Sequence, residues 1–144
     1  MVTCNIADYH TDVRFDRILS NPPYFRDSLR SPDMGRNTAR HNDSLSYETL
    51  VSCSAKFLAV DGLLSVVLPF DAVNDFERCS QAAGLYLARR TDVVTVIGHE
   101  PKRSLLAFGT VYAQPVIDVL NMRDDDGNES ADYINLVKEF YLKY

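Results

Sequence analysis

Leu63-Leu64-Ser65-Val66-Val67-Leu68 is the stretch that most limits how this chain can fold. It is a short, nearly continuous apolar run, and Pro69 ends it. Alternation is absent, so the pattern is that of a strand covered on both faces. Helical periodicity flanks it. Tyr47, Leu50, Val51, Ser54, Phe57 and Leu58 fall on one face of a helix expected over about Ser44 to Ala59, capped by Asp43 or Ser44, with Glu48 in its first turn. Asp61-Gly62 reads as the turn between them. A second helix is expected over about Asp71 to Ala83, with Gly84 at its C-terminal cap. Strand-like segments cover Phe15 to Leu19, Leu85 to Val93, Ser104 to Tyr112 and roughly Val116 to Met122, and Val2 to Ile6 reads as the tail of a short strand. Ser130 caps a last helix over about Ala131 to Leu142. Helices set between strands predict an α/β fold with a parallel sheet and right-handed crossovers.

In such sheets ligands bind at the carboxyl ends of the strands. Phe15 to Leu19 ends in Ser20-Asn21-Pro22-Pro23-Tyr24. Two prolines cannot continue a sheet ladder. They make a stiff segment whose carbonyl directions are set in advance, and Asn21 adds a side-chain carbonyl acceptor. Together they present two acceptors to one exocyclic amino group. Tyr24 adds a flat face for stacking, worth ~1–3 kcal/mol per base. An amino group conjugated to a purine, or an amide, is a poor nucleophile because its lone pair is delocalised. Two acceptors on its hydrogens favour a more pyramidal nitrogen whose lone pair points at an electrophile. No strong base is needed if the proton leaves to water after transfer. The motif suits alkylation of a planar nitrogen. A segment of about 22 residues with little periodicity, Pro22 to Asp43, follows it, and loops of such length are usually functional or disordered.

Charge narrows the partner. The net charge of -5 argues against a general nucleic-acid binder. Its distribution allows a local basic face: Arg26, Arg30, Arg36 and Arg40 lie behind the motif, and Arg89, Arg90, Lys102 and Arg103 form a second group. Much of the acid gathers toward the other end, at Asp118, Asp124 to Asp126, Glu129 and Asp132. Asp124-Asp125-Asp126-Gly127-Asn128 lacks the ligand spacing and terminal Glu of a calcium loop. Cys4, Cys53 and Cys79 are odd in number and form no CxxC pair, so reduced thiols in a cytoplasmic protein are expected, with no metal site. No apolar run approaches the ~20 residues of a membrane span, and the first ten residues lack the pattern of a secretory signal.

"FDRILSNPPYF" resembles motif IV of the amino-group methyltransferases that use S-adenosylmethionine. "NPPYFRDSLRSPDMGRNTARHNDSLSYETL" is similar to the bacterial tRNA1(Val) (adenine-37-N6)-methyltransferase family. "LYLARRTDV", "PKRSLLAF" and "DYINLVKEFYLKY" resemble its later strands and its C-terminal end. The resemblance implies N6-methylation of a tRNA adenine, with Asn21, Pro22, Pro23 and Tyr24 as the catalytic motif. It places Asn5 or Asp8, together with Asn21, toward S-adenosylmethionine. It puts Arg36, Arg40 and His41 in a loop over the target nucleotide and makes Lys102 and Arg103 phosphate contacts. A base role for His41 is not required by the chemistry.

One departure is large. These enzymes hold the cofactor with a glycine-rich turn after their first strand. Gly35, Gly62, Gly84, Gly98, Gly109 and Gly127 are scattered, and no GxG exists. The resemblance therefore implies that residues 1–144 are a partial methyltransferase domain: the C-terminal half of a Rossmann-like sheet, strand order 4-5-7-6 in the family's count, with flanking helices. The expected partners are tRNA and the missing N-terminal half, or a second chain, covering the exposed edge of Phe15 to Leu19. Alone, this half is expected to be inactive and to bind S-adenosylmethionine weakly. Two other readings stay open: a release-factor glutamine N5-methyltransferase, which also acts on a planar nitrogen, and a non-catalytic truncated fragment.

Overall fold

The computed structural model describes residues 2–23 and 45–141. Strand β1 (Phe15–Ser20) precedes helix α1 (Tyr47–Phe57), which runs directly into β2 (Leu58–Pro69). Helix α2 (Val73–Ala82) follows a single 3-10 turn, Phe70–Ala72. Strands β3 (Tyr86–Val94), β4 (Arg103–Gly109) and β5 (Val116–Asn121) come next, and α3 (Ala131–Val137) is last. The order across the sheet is β1-β2-β4-β3-β5. Its first four strands reproduce the 4-5-7-6 arrangement, and β5 adds a fifth on the far side.

The sheet is mixed. β1 is parallel to β2 and β3 to β5, while β4 is antiparallel to both of its neighbours. The expected parallel pairing holds for β1 with β2 and β3 with β5, and β4 alone runs against it among the described strands. The connection from β3 to β4, Thr95 to Lys102, holds no helix and is too short to cross over, so the chain must turn back. Gly98 takes the positive φ of 79° in that turn.

Several boundaries also move. Ser46, not Asp43 or Ser44, caps α1, its hydroxyl accepting from the Thr49 N–H at 3.2 Å. Val2 to Ile6 forms no strand. Asn5 instead caps a 3-10 turn, Ile6–Asp8. β4 stops at Gly109, short of Tyr112, and α3 stops at Val137, where Lys138 to Phe140 continue as turns. Gly84, with φ 78°, does end α2, and the Leu85 N–H donates to the Ser80 carbonyl at 2.9 Å.

Asp61-Gly62 is no turn: both residues lie inside β2. The pairing of β1 with β2 slips between Phe15 and Arg17, whose partners are Leu58 and Leu63. Gly62 sits in that irregularity. A Cβ there would stand 2.8 Å from the Phe15 carbonyl oxygen and 3.0 Å from that of Ala59. Both are backbone atoms, so the space cannot open by a side-chain rotation. Gly62→Ala is expected to destabilise the fold by about 1–3 kcal/mol, read as a lower denaturant midpoint at unchanged slope. No change in midpoint would show that the slip relaxes freely.

The core lies between α1, α2 and one face of the sheet. Leu50, Val51, Leu64, Leu68, Val73, Phe76 and Phe108 are all buried to 2% exposure or less. Phe76 is the pivot, with ring centroids 5.0 Å from Tyr47 and 5.5 Å from Phe108. Burial in β2 then alternates, so only one face is fully covered. The apolar run that suggested cover on both faces has an open side, where Ser65 and Val67 are half-buried.

No disulfide joins the cysteines: Cys4 is exposed, and Cys53 and Cys79 are half-buried. Burial first, then the neighbouring Glu48 carboxylate, raises the Cys79 thiol above its ordinary pKa. At pH 8 iodoacetamide is therefore expected to modify Cys4 faster than Cys79, as counted by peptide mass spectrometry. Equal rates would contradict this placement.

Candidate acceptor site at the carboxyl edge

β1, β2, β3 and β5 all run in one direction, so their carboxyl ends share one edge of the sheet. Asn21, Pro22 and Pro23 leave β1 at that edge. Ser20 pairs with Val66, so the three residues run alongside the last turns of the β2 pleat. Pro22 is buried, and Asn21 and Pro23 are exposed. A buried rigid ring between two outward residues fixes the direction of the segment. Tyr24, Arg36, Arg40 and His41 lie outside the described residues.

Lys102 and Arg103 reach the same edge from the β3–β4 connection. Arg103 pairs with Pro69. The Phe70 N–H donates to the Lys102 carbonyl at 3.1 Å, and the Lys102 N–H to the Val93 carbonyl at 3.1 Å. Both side chains are exposed. β4 is two strands from β1, about 10 Å away, a spacing that suits a backbone contact beside a bound nucleotide.

The rest of the expected basic group is not available in the same way. Arg89 and Arg90 are consecutive residues of β3 and so point to opposite faces of the sheet. On one face Arg89 donates to Asp118 at 2.6 Å. On the other, Arg90 Nε donates to Asp92 at 2.8 Å, and its guanidinium lies 5.2 Å over the Phe70 ring. Ser104, wholly buried, donates to the same Asp92 oxygen at 2.5 Å. This network ties β3 and β4 to Phe70 beneath the edge. Its residues are ordinary in sequence, and only the register brings them together. Asp118 is held below the usual carboxylate range by the Thr91 hydroxyl first and then by Arg89. A lowered folded-state pKa means that this pair persists in mild acid and is lost as pH falls through that lowered value.

A groove of about 970 Å³ opens on the uncovered sheet face, and its lining includes Ser20 and Asn21 at one end and Arg89, Thr91 and Asp118 toward the other. Asn5 and Asp8 are not in that lining. The Asn5 side-chain oxygen accepts from the Ala7 N–H at 3.0 Å. Tyr9, just after Asp8, meets Phe57 edge-on at 5.5 Å, at the end of α1 that enters β2, opposite to the edge holding Asn21. Each described glycine with positive φ stands alone in its own turn. The described residues thus place Asn21, Pro22 and Pro23 at the carboxyl edge beside this groove and, among themselves, show no paired positive-φ glycines of the kind a glycine-rich turn uses. Among them no group of three or more His, Cys, Asp and Glu could hold a metal ion, and no helix is long and apolar enough to cross a membrane.

The fold is the Rossmann-like fold of methyltransferases. The chain superposes on the crystal structure of a predicted O-methyltransferase from Agrobacterium tumefaciens with a TM-score of 0.62 at 15% identity, covering 87% of this chain and 51% of that one. In sequence it is similar to proteins named tRNA1(Val) (adenine(37)-N6)-methyltransferase. The one from Bacteroides fragilis is 42% identical over 137 residues, which is 95% of this chain and 58% of that protein. The one from Escherichia coli O157:H7 is 37% identical over 97% of this chain and 58% of its own length. The chain thus spans less than two thirds of the curated relatives it matches. No protein-family model matches it.

Proposed function

We propose that this chain is the acceptor-binding part of an S-adenosylmethionine-dependent methyltransferase that modifies N6 of an adenine in tRNA. The observation that carries the reading is the position of Asn21-Pro22-Pro23. The segment leaves a strand at the carboxyl edge of a Rossmann-like sheet, in a chain whose relatives bear that activity in their names. The Asn21 side-chain oxygen and the Pro22 carbonyl accept the two hydrogens of the adenine amino group, and the nitrogen lone pair is left for bond formation. Tyr24 stacks on the base, Arg36, Arg40 and His41 close over it, and Lys102 and Arg103 hold flanking phosphates. S-adenosylmethionine, when bound, supplies the electrophilic methyl group. Most of its binding comes from polypeptide that the relatives carry outside the matched residues, and that polypeptide covers the free edge of β1. Residues 1–144 are on this reading a partial domain of a cytoplasmic enzyme.

Two experiments test this. Calorimetry of the 144 residues with S-adenosylmethionine is expected to show no appreciable binding, and micromolar affinity would overturn the division of the site. Second, this chain can replace the matched region of the B. fragilis protein. The chimera is given labelled S-adenosylmethionine with tRNA and release factor together. Label in tRNA is expected. Label in release factor would favour the glutamine enzyme, and label in neither a non-catalytic fragment.

A further inference from the structure

We infer that Phe70 is a wall of the acceptor site that meets the target nucleoside, and that Arg90 and Asp92 are the positioning pair that holds its ring. This rests on the function proposed above and adds a substrate contact to it. Phe70 follows Pro69, the last residue of β2. Across the sheet β2 lies between β1 and β4. At the carboxyl edge Phe70 therefore stands between Asn21 and Pro22, which leave β1, and Lys102 and Arg103, where β4 begins. The register fixes that place. Arg103 pairs with Pro69, and the Phe70 N–H donates to the Lys102 carbonyl at 3.1 Å. The order along the edge is acceptor, ring, cations. A nucleotide presents its groups in the same order: amino group, then base and ribose, then phosphate. From β1 to β4 is two strand spacings, about 10 Å. A nucleotide held by its amino group at one end and its phosphate at the other passes over Phe70.

The network beneath the edge explains how such a ring is kept in place. Asp92 is 9% exposed and Ser104 wholly buried. Asp92 accepts from Ser104 at 2.5 Å and from Arg90 Nε at 2.8 Å. A nearly buried ion pair contributes little net stability, because desolvation of the charges offsets their attraction. What the pair supplies here is direction. With Nε tied to the carboxylate, the planar guanidinium is held over the Phe70 ring, 5.2 Å from its centroid. The core rings Phe76 and Phe108 are wholly buried and are fixed by packing alone. Phe70 is only half-buried, so packing does not hold it on every side, and the guanidinium sets its orientation at the rim.

The chimera tests this by kinetics and by contact. Phe70→Ala is expected to lower kcat/KM for tRNA by roughly 5- to 100-fold, the range for one aromatic contact with a base. Phe70→Tyr keeps the ring and is expected to retain most of the rate. Phe70→Leu keeps apolar volume without the ring, and is expected to restore the thermal midpoint but not the rate. Recovery of the rate by Leu would make Phe70 a packing residue only and overturn the inference. Arg90→Lys is expected to lower kcat/KM by itself and to add no loss to Phe70→Ala, because it acts through the ring. Additive losses would overturn its positioning role. For contact, a photoreactive benzophenone analogue of phenylalanine is placed at position 70, the chimera is irradiated with tRNA, and the joined nucleotide is mapped by mass spectrometry. The crosslink is expected on one adenosine, the one that the active chimera methylates. A crosslink to other nucleotides, or none, overturns the inference. A single crosslinked adenosine without methyl transfer leaves the Phe70 wall standing and sinks the proposed reaction. Methyl transfer to tRNA with no crosslink and an unchanged rate in Phe70→Ala does the reverse.

Discussion

Asn21→Ala in the enzyme assembled around this chain is expected to lower the rate of methyl transfer by roughly 10²–10³-fold, about 2.7–4 kcal/mol, the usual cost of removing one preorganised polar partner from a developing charge. The effect should fall on turnover and spare folding, because the side chain is exposed beside a buried Pro22 that holds the backbone. Asn21→Asp separates the roles. A carboxylate keeps the acceptor, so it should recover part of the rate, whereas Ala keeps neither oxygen nor dipole. A loss below tenfold for Ala, ~1.4 kcal/mol, would show that Asn21 does not hold the amino group.

The largest expected effect on stability is at Phe76. Its ring is wholly buried, between Tyr47 at the start of α1 and Phe108 in β4. Phe76→Ala removes a buried ring that meets both α1 and the sheet, and the cavity cannot close without moving a helix against the sheet. A cost of about 3–5 kcal/mol is expected, against a total of about 5–15 kcal/mol for a domain. Urea unfolding followed by circular dichroism checks it, and a loss under about 1 kcal/mol would mean the core repacks freely. The open face gives the internal contrast. Leu105 projects into the groove and is over a third exposed, so Leu105→Ala in the isolated chain should cost well under half as much.

Much of this arrangement can be read from the residues, and the failures have physical causes. The apolar runs located all five strands, and helical spacing located the helices. Strand direction is another matter, because apolar periodicity is the same in either sense. The reversal of β4 is written only in the shortness of Thr95 to Lys102. Asp61-Gly62 has turn composition, yet its glycine serves a close approach to the Phe15 carbonyl, a constraint set by a neighbouring strand that local chemistry does not report. Arg89 and Arg90 look like one basic cluster, yet as neighbours in a strand they point to opposite faces, each to its own aspartate. Asn21 to Pro23 was legible because its chemistry is local: two prolines and an amide at a strand end carry their geometry with them. The Arg90–Asp92–Ser104 network was not, since it depends on which residues of two strands face each other.

A site that holds an exocyclic amino group is revealed by the identity of the atom it methylates. After reaction of the chimera with tRNA, the RNA is digested and its nucleosides are separated and weighed against standards. The methyl group is expected as N6-methyladenosine, and Asn21→Ala is expected to abolish most of it. Methyl on a ring nitrogen, a ring carbon or a ribose oxygen would contradict it, because none of these presents two hydrogens to the Asn21 and Pro22 oxygens.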